Sequence, residues 1–313
     1  MGIVRAQKLE PGSKIGIVCT GSPVSPERFQ LGCQAIQSYG YEIVVPLNPS
    51  EFYGKYDHGF TNGSAFERVR SLDALLDAPE VSVIIAARGG YGSMDMLPLI
   101  DFEKVRSARK VIVGCSDSTV LLMQWMSRAS LCAIHGTSVG SCLADARTNE
   151  EAKRSADALI AMLTSPDYRY SIPCEVIRSG AGEGVVVAGN MSMFTSVLGT
   201  PWDLNFDGLI LVLEEVAEAP YKIQRMLTQL KLAGKFDRLA GLVFGPFARC
   251  TAQHGPQVGE VIKSFVSDTL SGLSFPVVMG FPFGHWGENQ PVPVGCRAVL
   301  QDGVFSLLEP PVG

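Results

Sequence analysis

Residues 110–126 read KVIVGCSDSTVLLMQWM. A β-branched apolar run, Val111–Val113, is followed by a tight turn around Gly114 and by a helical pattern from Ser118 to Arg128. Apolar strands without polar alternation are typical of a sheet that is buried on both faces by helices. This stretch therefore predicts a strand, a turn and a helix within an α/β domain.

The same alternation extends through the first half of the chain. Apolar runs predict strands at Ile15–Cys19, Glu42–Pro46, Val81–Ala87, Lys110–Gly114 and Leu131–His135. Between them, amphipathic patterns predict helices at Glu27–Tyr39, Ala65–Leu76 and Ser118–Arg128. Repeated β-α order with right-handed crossovers gives a doubly wound parallel sheet. We expect this N-terminal α/β domain to cover residues 1–145.

The pattern changes after residue 145. A polar helical stretch, Asn149–Leu163, precedes a segment rich in Ser, Pro and Gly, so residues 146–183 are predicted to link two domains. Residues 184–313 contain several short apolar runs, one amphipathic helix at Tyr221–Ala233 and short antiparallel strands from Val292 to Leu308. We expect a C-terminal β-rich α/β domain there.

Composition excludes several protein classes. The 313 residues include 46% hydrophobic and 18% charged residues, with a net charge of −5, which is typical of a globular protein and not of a disordered one. The absence of a basic run argues against a nucleic acid partner, and no apolar run reaches the roughly 18 residues of a membrane span. The eight cysteines form no C-x-x-C pair, the four histidines are scattered and the N-terminus lacks a signal-peptide pattern. We expect a cytoplasmic protein without a metal or a cofactor.

The strand–turn–helix unit presents a candidate nucleophile, Ser116. A sharp turn of this kind holds a serine hydroxyl above the sheet edge, and the N–H groups at the helix start can bind an oxyanion. The usual hydrolase pattern is G-x-S-x-G, and here Ser118 replaces the second glycine. The alternative is that Ser116 or Asp117 only caps the helix.

A glycine-rich loop, Arg88–Gly92, follows another predicted strand. Glycines allow backbone amides to approach a ligand closely, although the pattern does not fulfil G-x-G-x-x-G and a plain turn is the alternative. In a doubly wound sheet this loop and Ser116 both lie at the carboxyl ends of strands, where ligands bind.

A serine nucleophile requires a base and an orienting acid. His135 and His285 both follow or end apolar strands and remain rivals for the base, whereas His58 and His254 lie in polar loops. The strand Gly208–Leu213 ends in Glu214-Glu215, and either carboxylate could orient a histidine or simply be solvated.

Several ordered motifs resemble those of one family. They are Arg88-Gly89-Gly90-Tyr91-Gly92, Gly114-Cys115-Ser116-Asp117-Ser118-Thr119, Gly189-Asn190, Gly199-Thr200-Pro201-Trp202, Leu211-Val212-Leu213-Glu214-Glu215, Pro220-Tyr221, Arg225-Met226-Leu227-Thr228-Gln229-Leu230, Phe283-Gly284-His285 and Pro293-Val294-Gly295. The chain resembles the LD-carboxypeptidases, serine peptidases that include muramoyltetrapeptide carboxypeptidase and the microcin C immunity peptidases. The matches extend from about residue 14 to residue 300.

This resemblance implies a triad of Ser116, Glu214 and His285, with the backbone N–H groups of Gly90 and Asp117 as oxyanion donors. It further implies an N-terminal domain like class I glutamine amidotransferases, a β-rich C-terminal domain and a homodimer. No cofactor is implied.

The implied activity is hydrolysis of the bond to a C-terminal D-amino acid, with release of D-Ala from murein tetrapeptide during peptidoglycan recycling. Arg88 is a candidate for binding the terminal carboxylate, and the alternative is a buried structural arginine beside the glycine-rich loop. The first alternative is a microcin-immunity peptidase that cleaves peptidyl or aminoacyl nucleotide analogues. Trp202 or Trp286 could then stack on the base, although either could equally be a core or dimer contact. The second is a ligand-binding module without catalysis.

Overall fold

A computed structural model describes residues 3–55 and 60–313. The chain forms two compact units. The first unit comprises Met1–Tyr168, Gly287–Gly295 and Pro310–Gly313, and the second comprises Arg169–Trp286 and Cys296–Glu309.

The strands and helices predicted in the first half of the chain are present, and the structure adds elements that the sequence pattern did not predict. In chain order the strands are β1 (Lys14–Val18), β2 (Glu42–Val44), β3 (Val81–Ala86), β4 (Val111–Gly114), β5 (Ala133–His135), β6 (Ser171–Pro173), β7 (Glu175–Arg178), β8 (Ala181–Asn190), β9 (Leu209–Val216), β10 (Gly241–Ala248), β11 (Val277–Met279), β12 (Val292–Val294), β13 (Arg297–Gln301) and β14 (Val304–Leu307). The α-helices are α1 (Pro26–Ser38), α2 (Ala65–Asp77), α3 (Ser93–Met96), α4 (Phe102–Ala108), α5 (Thr119–Ser127), α6 (Glu150–Thr164), α7 (Met191–Ser196), α8 (Pro220–Leu232) and α9 (Val258–Ser264). Short helical turns of other types lie at Leu97–Leu99, Ser116–Ser118, Val139–Leu143 and Phe265–Thr269.

The first unit is built on a six-stranded sheet with the order β2-β1-β3-β4-β5-β12. Strands β1 to β5 are parallel and β12 pairs antiparallel with β5. The parallel order 2-1-3-4-5 is that of a doubly wound fold, in which ligands bind where the strand order reverses, at the carboxyl ends of the strands. The predicted parallel sheet is confirmed, and the closer likeness to class I glutamine amidotransferases stays a prediction.

The second unit contains an eight-stranded mixed sheet with the order β6-β14-β13-β8-β9-β10-β11-β7. Its centre, β8 to β11, is parallel, and antiparallel strands complete both edges. The central strand β9 is almost entirely buried although it carries two carboxylates at its carboxyl end. Burial of its apolar residues specifies the register of β9 in the sheet, and this register fixes the positions of the two carboxylates.

The division into units differs from the predicted domain boundaries at residues 145 and 184. Helix α6, which was expected to belong to a linker, is part of the first unit, where the N–H of Leu9 donates to the carbonyl of Leu163 near the helix end (2.8 Å). Strand β12, expected in the C-terminal domain, is hydrogen-bonded to β5 in the first sheet. The chain therefore returns to its first unit after completing most of the second.

Candidate active site

Ser116 lies directly beyond the carboxyl end of β4, in the left-handed region with φ of 57°. This conformation is strained for a residue with a side chain, and such strain is concentrated at functional sites. The turn is possible because Gly114 precedes it: a Cβ on Gly114 would lie 2.7 Å from the Cβ of Ser118. The sequence thus builds a sharp elbow at a half-buried serine.

The glycine-rich loop after β3 approaches this elbow closely. A Cβ on Gly89 would lie 2.8 Å from the Cβ of Ser116 and 3.2 Å from the backbone nitrogen of Asp117, so only glycine fits there. The next residue, Gly90, has φ of 99°, which glycine adopts without strain. The loop after β3 and the start of the following helix therefore both lie beside the serine.

Buried polar groups hold the two loops together. The carboxylate of Asp117 accepts a hydrogen bond from the backbone N–H of Ser93 (2.9 Å). The buried guanidinium of Arg68 donates to the carbonyls of Thr20 (2.6 Å) and Gly92 (2.9 Å). Burial raises the pKa of Asp117, although the hydrogen bonds from Ser93 and the charge of Arg68 oppose that rise. The sequence pattern does not single out Arg68, because this residue lies inside an ordinary helical pattern.

The other predicted residues of the first unit lie in different environments. Arg88 is exposed, and its guanidinium donates to the carbonyl of Pro23 (3.0 Å). His135 is fully buried in β5, paired with Gly114 of β4 and Val292 of β12. His58 lies outside the described residues.

In the second unit, Glu214 and His285 form a close pair. Glu214 is fully buried near the end of β9, and its Oε2 lies 2.7 Å from Nδ1 of His285. The same oxygen accepts a hydrogen bond from the backbone N–H of His285 (3.1 Å). The imidazole is 27% exposed. When Nδ1–H donates to the carboxylate, Nε2 is left as a proton acceptor that solvent can reach.

This geometry depends on Gly284, which has φ of 87°. A Cβ at this position would lie 2.4 Å from Cγ and 2.6 Å from Oε2 of Glu214. Burial disfavours a charge on His285, but the hydrogen bond and negative charge of Glu214 outweigh burial and raise the pKa of the imidazole above its ordinary value.

The neighbouring carboxylate of Glu215 is held by other donors. It accepts hydrogen bonds from the amide of Asn190 (2.7 Å), from the N–H and hydroxyl of Ser192 (2.8 and 2.7 Å) and from the N–H of Val216 (2.9 Å). The Asn190 amide also donates to Oε1 of Glu214 (3.2 Å). Asn190 therefore bridges the two carboxylates.

Trp202 is half-buried, and Trp286 and His254 are exposed. Across residues 3–55 and 60–313, no group of three or more His, Cys, Asp or Glu side chains has the arrangement of a metal site. Within the same residues, every helix is too short or too polar to cross a membrane.

Two family models match separate parts of the sequence. The LD-carboxypeptidase N-terminal domain matches residues 15–136, and the LD-carboxypeptidase C-terminal domain matches residues 183–300. The chain belongs to the LD-carboxypeptidase family.

Individual relatives of this LD-carboxypeptidase match along nearly its whole length. The murein tetrapeptide carboxypeptidase of Pseudomonas aeruginosa is 29% identical, covering 92% of this chain and 93% of the relative. The crystal structure of muramoyltetrapeptide carboxypeptidase from Oxalobacter formigenes is 28% identical with a TM-score of 0.83, covering 94% of this chain and 98% of that one. The structure of the microcin C7 self-immunity protein MccF shares the fold, with a TM-score of 0.88 at 23% identity over 99% of this chain and 100% of that one.

The predicted site residues of this LD-carboxypeptidase are distributed between the two matched segments. The N-terminal match includes Gly90, Ser116 and Asp117, and the C-terminal match includes Glu214 and His285. The serine elbow and the Glu214–His285 pair are thus both inside family-specific sequence.

Proposed function

We propose that this LD-carboxypeptidase is a serine peptidase that releases a C-terminal D-amino acid, D-Ala from murein tetrapeptide, in peptidoglycan recycling. The observation that carries the proposal is the hydrogen bond of 2.7 Å between Glu214 and Nδ1 of His285. A buried carboxylate beneath a partly exposed imidazole is the arrangement that prepares histidine as a general base. The named activity of the Pseudomonas and Oxalobacter relatives supports the choice of substrate.

In the proposed reaction, the Ser116 hydroxyl oxygen bonds to the carbonyl carbon of the scissile bond while Nε2 of His285 takes its proton. Glu214 holds the imidazole in the tautomer that accepts this proton and stabilises the resulting cation. The backbone N–H groups of Gly90 and Asp117 bind the oxyanion, and loss of one such donor typically costs about 10²–10³-fold in rate.

The C–N bond then breaks, and Nε2 returns the proton to the leaving amine of D-Ala. Water attacks the acyl-serine ester with His285 again acting as base, which releases the tripeptide and restores Ser116. Every proton in this cycle is carried by one imidazole, so no cofactor is required. The homodimer stays a prediction from the family resemblance, and the cytoplasmic location stays a prediction from the sequence.

The test is D-Ala release from L-Ala-γ-D-Glu-meso-diaminopimelate-D-Ala. We expect Ser116→Ala and His285→Ala each to lower kcat by at least about 10³-fold, because the triad acts as a unit. Matched controls are Ser127→Ala, an exposed serine in α5, and His254→Ala, an exposed histidine, which should retain full activity. Circular dichroism would verify that each variant is folded.

Two results would refute parts of the proposal. Undiminished release by Ser116→Ala would exclude the serine mechanism. No release by the unmodified protein would exclude the murein substrate, and an aminoacyl sulfamoyl adenosine would then be assayed as a ligand. The microcin-immunity alternative predicts that Trp202→Ala or Trp286→Ala weakens binding of that compound, because indole rings stack on bases.

A further inference from the structure

A carboxypeptidase must recognise the carboxylate of the residue it releases, and the chemistry restricts where that carboxylate lies. In the proposed function, His285 gives its proton to the leaving amine, so the leaving D-amino acid lies against the imidazole. Its carboxylate carbon is only two bonds from that nitrogen, about 2.5 Å away. The recognising group should therefore belong to the surroundings of His285.

Arg249 occupies such a position in the second unit. It directly follows β10, whose residue Ala248 is in register with Val216 of β9, close to the end of the strand that carries Glu214. The backbone N–H of Ala217 donates to the carbonyl of Ala248 (2.8 Å), which holds the two strand ends together. The positive charge of Arg249 also opposes the rise in the pKa of His285, so its field reaches the imidazole.

The conformation of Arg249 is strained. Its φ is 57°, a left-handed value that is strained for a residue with a side chain. Ala217, which directly follows β9, has the same value. Both strands therefore turn sharply at adjacent ends, and the Arg249 side chain is exposed there.

Several other cations of the second unit differ from Arg249 in that their side chains engage a partner. Lys222 pairs with Glu218 (2.8 Å) and Lys235 with Asp203 (2.7 Å), while the Arg178 guanidinium donates to the carbonyls of Leu270 and Phe275. Among the described residues, no carboxylate at ion-pair distance and no hydrogen-bond acceptor engages the Arg249 guanidinium. An exposed arginine with all its donors available suits a carboxylate ligand, which it can bind through two parallel hydrogen bonds.

We propose that Arg249 binds the C-terminal carboxylate of the leaving D-amino acid and so restricts the enzyme to the last residue of a peptide. This inference rests on the proposed function. The carboxylates of Glu214 and Glu215 end the neighbouring strand, so an anionic leaving residue requires a cation at this point. Arg88, the candidate from the sequence, belongs to the first unit and donates to the carbonyl of Pro23.

The test compares two peptides, L-Ala-γ-D-Glu-meso-diaminopimelate-D-Ala and the same peptide with a C-terminal carboxamide. We expect Arg249→Met to lower kcat/KM for the acid about 10- to 100-fold, as expected for loss of hydrogen bonds to a charged group, and to leave the amide rate within about threefold. Compared with Arg249→Met, Arg249→Lys should retain a higher kcat/KM for the acid. Lysine keeps the positive charge but cannot form two parallel hydrogen bonds with a carboxylate. Arg238→Met, which removes an exposed arginine paired with Asp207, is the control and should behave as the unmodified protein.

Equal losses for acid and amide would overturn the proposal, because Arg249 would then act on the Glu214–His285 pair or on folding. An acid-specific loss in Arg88→Met, but not in Arg249→Met, would overturn it in favour of Arg88. If the unmodified protein hydrolyses neither peptide, the proposed function fails, and calorimetric binding of both peptides to Ser116→Ala still tests Arg249. Tighter binding of the acid that Arg249→Met abolishes would support the carboxylate site, and equal or absent binding would refute it.

Discussion

Replacement of Gly284 by alanine should move Glu214 away from His285, although neither of these two residues is substituted. The new Cβ would lie 2.4 Å from Cγ of Glu214, whereas non-bonded carbon atoms meet at about 3.5 Å. Glu214 must therefore move by about 1 Å. A shift of that size lengthens the hydrogen bond of 2.7 Å to Nδ1 of His285 beyond the normal range.

The expected cost to catalysis follows from this displacement. A misplacement of about 1 Å can cost about 10²-fold, and loss of the correct histidine tautomer costs about 10⁴-fold. We expect Gly284→Ala to lower kcat by a factor between about 10² and 10⁴. The left-handed backbone adds roughly 1–2 kcal/mol of destabilisation, and overpacking around the buried carboxylate adds roughly 1–3 kcal/mol.

Gly280→Ala provides a closely matched control. Gly280 has φ of 84°, close to the 87° of Gly284, but no atom lies within 4 Å of its added Cβ. It should show the backbone cost in urea unfolding, about 1–2 kcal/mol, with unchanged kcat for D-Ala release. Equal kcat in the two variants would refute the argument that Gly284 makes room for Glu214.

Two further predictions concern charge. Because Glu214 raises the pKa of His285 and the base must be neutral, kcat/KM should increase with pH through that raised pKa. Glu214→Gln should move this acid limb to lower pH while lowering its plateau, and a pH–rate profile that keeps its midpoint would contradict the assignment. Separately, Lys110→Met should lower the free energy of unfolding by about 2–3 kcal/mol with unchanged kcat, since the buried ammonium donates to the carbonyls of Leu75 and Ala78 at the end of α2. Lys104→Met, which removes a partly exposed ion pair with Asp77, should cost less than about 1 kcal/mol.

Local structure was largely predictable because it depends on short-range patterns. The apolar runs placed β1 to β5 within one or two residues, and the elbow at Ser116 followed from one strand–turn–helix stretch. The membership of β12 was not predictable in the same way. Its three residues, Val292–Val294, are apolar and short, and only pairing with β5 assigns them to the first sheet.

The site was predictable to the extent that its residues lie in ordered motifs. Sequence spacing left His135 and His285 as rivals, and the structure distinguishes their environments: one ring is fully buried in a strand and the other is partly exposed above a carboxylate. Arg68 and Arg249 could not be found from a local pattern. Arg68 acts through contacts with backbone carbonyls far along the chain, and the unusual conformation of Arg249 is visible only in three dimensions.

The choice between the adjacent carboxylates is decided by their hydrogen-bond donors. Apart from the Asn190 amide, which donates to both carboxylates, Glu214 and Glu215 have different hydrogen-bond donors, as expected for successive residues of a strand. Four donors from Asn190, Ser192 and Val216 engage Glu215, which leaves its oxygens little capacity for another partner. Glu214 is in register with Asn190 on β8, and that amide reaches only its Oε1. Its Oε2 therefore remains for His285, which donates to it from both the backbone and the ring. The position of Glu214 in the sheet thus determines which carboxylate can orient the imidazole.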